Sequence, residues 1–106
     1  MESQSYGVRK LWIEGGHPRR ISNGTFVADR ADDGSQSWEV YLAIADKLFD
    51  ISDECSVIVE LDDGRAVTGL AVLHELEVHE PPEESRFVFR SSKPLKGFDW
   101  SELDSS

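Results

Sequence analysis

From Cys55 to Val78 the chain reads CSVIVELDDGRAVTGLAVLHELEV, two alternating apolar runs on either side of Asp63-Gly64. Asp-Gly between such runs is a strong local hairpin signal, because Gly adopts positive φ freely and Asp tolerates it. A two-residue type I′ turn at Asp63-Gly64 predicts Asp62 opposite Arg65, Leu61 opposite Ala66, Val59 opposite Thr68, Val57 opposite Leu70 and Cys55 opposite Val72. One face then holds Cys55, Val57, Val59, Leu61, Ala66, Thr68, Leu70, Val72, His74, Leu76 and Val78. The other holds Ser56, Ile58, Glu60, Val67, Gly69, Ala71, Leu73, Glu75 and Glu77. Strand side chains alternate with period two, so a slip of one residue would turn the apolar set outward.

The rest of the chain reads as further short strands. Ser5 to Ile13 is a first strand with apolar members on both faces, ended by Gly15-Gly16-His17-Pro18. Ile21 to Arg30 holds an Asn23-Gly24 turn and then a short strand with Phe26 and Ala28 on one face. Asn23-Gly24-Thr25 also matches a glycosylation sequon, and a turn is the simpler reading. Residues 30–36 form a polar loop. Ser37 to Phe49 fits two templates. Trp38, Val40, Leu42 and Ile44 alternate as in a strand, while Trp38, Tyr41, Leu42, Ala45, Leu48 and Phe49 recur as in a helix. We read a strand from Ser37 to Ile44 and a loop or helical turn through Glu54; the alternative is one short helix near residues 38–49. His79 to Ser85 is an acidic loop stiffened by Pro81-Pro82, Arg86 to Arg90 is a last strand with Phe87 and Phe89 inward, and Ser91 to Pro94 ends it.

These readings predict a mainly β fold: a small curled antiparallel sheet or a small barrel of five to six strands. The return strand after the Asp63-Gly64-Arg65 turn is unusually long, and Gly69, on the outer face, is where it should bend. From Val57 to Leu73 this long bent strand resembles the small barrels of the SH3 and Sm-like kind, which implies the fold alone. The Asn-bearing RNA-binding loop of Sm-like proteins is not evident. Residues 1–96 make one β domain, and residues 97–106 an acidic, aromatic tail.

Charge narrows the partners. The net charge is −10, with 21 acidic against 11 basic side chains. Residues 31–84 carry fifteen acids and only Lys47 and Arg65, net −13, whereas both ends of the chain are slightly basic. Such a middle repels nucleic-acid phosphates and anionic membranes and attracts basic proteins. Solubility alone is a sufficient reason for it. Basic residues cluster as Arg9-Lys10, Arg19-Arg20, and Arg86, Arg90, Lys93 and Lys96. If the first and last strands were neighbours, these would form one basic side opposite an acidic one. The lone Cys55 excludes an internal disulfide, and with no signal-peptide core in the first residues a cytoplasmic protein is expected.

Motifs for chemistry are sparse. His74 and His79 are five apart, which in a strand places them on opposite faces, unlike the two His of a helical zinc motif. Asp29 to Gly34 begins like a calcium loop, but its third position is Ala31 and its twelfth is Val40. Cys55 lies on the core face. No catalytic residue, metal or cofactor is expected. The first functional reading is a non-enzymatic interaction module, an adaptor or assembly component with an acidic surface. The alternative is an acidic inhibitor, a nucleic-acid mimic or immunity-type protein that blocks a basic site on an enzyme. The candidate partner-binding residues are Glu60, Asp62, Asp63, Glu75 and Glu77, with Phe98, Trp100 and Leu103 of the tail. That tail either packs back onto the sheet or docks as a free peptide into a partner's groove.

Overall fold

The computed structural model of the chain describes residues 2–14, 16, 18, 21–44, 54–77, 85–91 and 93–104. Six strands, β1 (Glu2–Ile13), β2 (Ile21–Arg30), β3 (Gln36–Ile44), β4 (Glu54–Leu61), β5 (Ala66–Glu77) and β6 (Ser85–Ser91), close into an antiparallel barrel in the order β4-β1-β2-β3-β6-β5, with β5 returning to β4. The chain thus makes two three-stranded meanders joined through β1–β4 and β3–β6. A seventh strand, β7 (Leu95–Lys96), adds to β5 beside Thr68 and Gly69, and a short 3-10 helix (Trp100–Asp104) follows. Residues 38–44 are therefore strand; the rest of the helical alternative, residues 45–49, lies outside the described residues, as do the Arg19-Arg20 pair and the acidic loop after Val78. No described helix is long and apolar enough to cross a membrane.

Alternation drives the core. Leu11, Ile13, Phe26, Ala28, Trp38, Val40, Leu42, Cys55, Val57, Val59, Leu61, Phe87 and Phe89 all point inward and are buried. Two of the expected features are corrected. Asn23-Gly24 is not a turn: β2 runs through it with a bulge between Ile21 and Asn23, and Gly24 packs against Val8 and Leu42, where a side chain would crowd both. The central hairpin has the other register. Gly64 has positive φ (93°), but the loop is three residues long, a type I turn closed by a glycine bulge: Gly64 N–H donates to the Leu61 carbonyl (2.9 Å) and Leu61 N–H to the Arg65 carbonyl (2.8 Å). The pairs are therefore Val59 with Val67, Val57 with Gly69 and Cys55 with Ala71. The parity of β4 is as expected, and that of β5 is reversed. Val67 and Ala71 are buried, Leu70 faces out, and Gly69 lies on the inner face, where a Cβ would stand 2.6 Å from the Trp38 ring. The absent side chain makes room for that indole, whose N–H donates to the Lys93 carbonyl (3.1 Å).

β1 is shared between both neighbours. Residues 2–7 pair with β2, and Val8 to Ile13 pair with β4 after a bulge at Val8/Lys10. The hairpin tip of β4 and β5 meets β1 at Gly7, whose carbonyl accepts the Asp62 N–H (2.9 Å). Beyond that level β1 and β2 continue without β4 as an overhanging sheet, with β3 alongside still paired to β6 as far as Trp38 and Ser91. The tail covers its inner face. Phe98 and Leu103 are buried in the same core as Phe26, Ala28 and Trp38, and Trp100 is half-buried against it. Phe98 stacks edge-on with Tyr6 (5.7 Å) and Trp100 (5.0 Å). Gly97, at φ 87°, passes so close to the Ala66 carbonyl that no side chain would fit. Residues 97–104 are thus continuous with the domain core, the first of the two outcomes expected for the tail.

Candidate functional site

The acidic residues singled out by sequence do not converge. Asp62 and Asp63 sit at the β4–β5 tip, at one end of the barrel. Glu75 and Glu77 lie on β5 opposite Phe87 and Arg86, nine residues or more beyond Ala66, about 30 Å along the strand; their side chains, and that of His74, lie outside what the structure describes. Glu60 is on the outer face of β4, with Arg9 at a loose 3.9 Å. Asp63 is committed to its own turn: its carboxylate accepts from the Arg65 backbone N–H (2.9 Å) and Nε (2.7 Å), and these bonds hold its pKa below the usual carboxylate value. Phe98 and Leu103 are buried, so neither presents itself to a partner here. The basic side is corrected too. In the ring of strands β1 lies across the barrel from β6, so Arg9-Lys10 and Arg86 with Arg90 occupy opposite walls. Two consecutive meanders keep the first and last main strands apart.

What the fold does assemble is an open groove of about 650 Å³ on the outer wall where β3, β6, β5 and β4 lie side by side. Its floor is Leu70 and Val72. Leu70 is 43% exposed, and Tyr41, nearby on β3, is 37% exposed; these are the large apolar side chains most open to solvent among the described residues. On one side Glu39 accepts from Arg90 Nε (2.9 Å) and from the Tyr41 hydroxyl (2.8 Å). The hydrogen bond to Glu39 raises the pKa of Tyr41, so its hydroxyl remains a donor at neutral pH. On the other side Lys93, just past β6, reaches across the outer face of β5 to form an ion pair with Glu54 of β4. The groove is thus an apolar strip between two charge pairs, balanced in sign. Sequence reasoning missed it because the hairpin register expected there placed Leu70 and Val72 inside.

Among the described residues the groups capable of chemistry are scattered. No cluster of three His, Cys, Asp or Glu capable of holding a metal occurs among the described residues. Cys55 is buried, and burial, with help from the charges of Glu14 and Glu54, pushes its thiol up to about 11. It is therefore protonated and a poor nucleophile at neutral pH. The chain matches no family model, no curated protein and no solved structure.

Proposed function

We infer that the protein is a non-enzymatic interaction module that docks a protein partner on the outer wall of β3, β6 and β5. One observation carries the reading: Leu70 stands exposed with Val72 on the floor of a groove, Tyr41 is exposed nearby, and the groove is bracketed by the Glu39–Arg90 and Glu54–Lys93 pairs. An apolar centre with a polar rim is the common anatomy of a protein interface. Leu70→Lys should leave the fold intact, because the side chain is already in solvent, and should reduce partner recovery at least about tenfold, a loss fitting a central apolar contact. The measurement is affinity capture from the native host followed by mass spectrometry, comparing wild type with Leu70→Lys and Tyr41→Ala. Equal recovery of the same proteins by all three forms would overturn the reading.

The acidic-inhibitor alternative is favoured by the net charge of −10. It predicts a different salt response. Binding to a basic site weakens steeply between low and high salt, whereas docking on the apolar strip changes little. Charge reversal at Glu60 and Asp62 separates the two further, since neither residue lines the groove.

A further inference from the structure

A closed barrel should present no strand edge, yet among the described residues each half of β1 has a strand on one side only: β4 beside residues 8–13 and β2 beside residues 2–6, and the second of these edges is the one at the end of the barrel. The β1–β4 ladder begins at Val8, and the last bond on that side runs from Asp62 N–H to the Gly7 carbonyl. Before Gly7, residues 2–6 form a ladder with β2, and no described strand lies on their other side. Glu2 to Ser5 are all exposed. The direction of the free groups follows from the ladder. The N–H and C=O of one residue point to the same side of a strand, and successive residues alternate. Gly7 points its carbonyl toward the β4 side, and no register shift interrupts residues 2–7. Ser5 and Ser3 therefore direct their N–H and C=O outward, while Tyr6, Gln4 and Glu2 bond to β2. This edge also lacks the usual safeguards. It carries no lysine, no proline and no bulge, and its one charge, Glu2, is held by Arg30 (2.6 Å).

We propose that this edge is a homodimerisation site, where β1 of one copy pairs antiparallel with β1 of a second copy about a two-fold axis at Gln4. The register is constrained. Outward residues must meet outward residues, and only the alignment of Ser3 with Ser5 of the second copy, and Ser5 with its Ser3, pairs the outward groups of both serines with each other on both edges. Four backbone hydrogen bonds result. Gln4 then lies opposite Gln4, and Glu2 opposite Tyr6, so no like charges oppose each other. The patch meets itself, as a two-fold interface requires. The guest strand continues the line of β4 beyond the point where β4 turns back at Asp62, and the two overhanging sheets merge into one. The surface is distinct from the groove of β3, β6 and β5, so its success or failure is independent of that reading.

Four hydrogen bonds on a small contact predict a weak dimer, seen from about 0.1 to 1 mM. Sedimentation equilibrium and amide NMR of the full chain over that range test it. The expected result is growth of the dimer with concentration, with shifts at the Ser3 and Ser5 amides and little change at Gln4. Ser5→Pro removes an outward donor without touching the ladder to β2, and should raise the dissociation constant at least about tenfold with an unchanged melting curve. If that variant does not fold, Gln4→Lys, an exposed change that sets two lysines face to face, carries the same expectation. A chain monomeric at 1 mM, or a dimer that survives the folded variant, overturns the proposal.

Discussion

Two hairpins in this barrel turn on the same three residues and differ in what surrounds the tip. In both Asp32-Asp33-Gly34 and Asp62-Asp63-Gly64 the glycine has φ near 90°, its N–H donates to the residue three before it (2.9 Å), and the flanking pair closes at 2.8 Å. In both, the second aspartate accepts the N–H two residues on, at 2.9 Å. The first tip stands at the end of the overhanging sheet. The second is docked: Asp62 bonds to Gly7, and Arg65 lies over the rings of Tyr6 (5.3 Å) and Phe98 (5.7 Å). Local chemistry therefore makes the turn in either setting, and the surroundings decide how much of the molecule depends on it.

The largest way to break this comparison is to remove the ring beneath the docked tip. Phe98→Ala should cost about 3 kcal/mol, the lower range for a buried aromatic, because Phe98 sits near the rim. Hydrogen exchange should then accelerate at residues 62–65 far more than at residues 31–35. A loss under about 0.5 kcal/mol in urea denaturation would mean that the tail does not hold the tip.

Next come the two glycines. A Cβ at Gly34 or Gly64 would meet no atom within 4 Å, so Gly34→Val and Gly64→Val each carry chiefly the backbone strain of a β-branched residue at positive φ, about 1–3 kcal/mol. The loss should be greater at Gly64, where distortion also pulls Asp62 from Gly7 and Arg65 from its rings. Equal losses for the pair would show that docking adds nothing to the turn.

The smallest effects are in pH. Asp33 and Asp63 both have pKa values lowered below the ordinary 3.8, chiefly by side-chain hydrogen bonds to Ser35 and Arg65 respectively. A folded value below the unfolded one means that their stabilisation is present above the unfolded pKa and is lost as pH falls through the folded one. Both carboxylates are exposed, so the contribution is small and screened by salt. Carbon-detected NMR titration should find both below the ordinary value. Combining Asp33→Asn with Asp63→Asn should flatten the acid limb of the stability profile; an equally steep limb would assign acid sensitivity to other carboxylates.

The fold was largely legible in the sequence, and the exposed groove was not. Alternation in residues 55–61, 26–28 and 87–89 identified inward faces correctly, because burial on one side of a strand imposes its period directly. Asp63-Gly64 located the turn, but a two-residue type I′ loop and a three-residue loop with a glycine bulge both place Gly at positive φ. The choice between them reverses every side chain of β5, and with it the fate of Leu70. Gly69 and Gly24 were misplaced for a related reason. Their roles depend on Trp38, Val8 and Leu42, side chains remote in sequence that only the closed barrel brings near. The tail was the reverse case: Phe98 and Leu103 declared the need for burial, and the overhanging sheet supplied the surface.

The division of β1 between two partners bears on how the chain reaches this state. The hairpin contacts within each meander join residues close in sequence. The ladders that seal the ring, β1 with β4 and β3 with β6, join residues about fifty apart, and loop-closure entropy opposes them until both halves exist. Closure should therefore be the late and slow event, placing folding in the millisecond-to-second range of barrels rather than the faster range of helical bundles. The register shift at Val8/Lys10, where β1 passes from one meander to the other, is where the two halves of the search must agree.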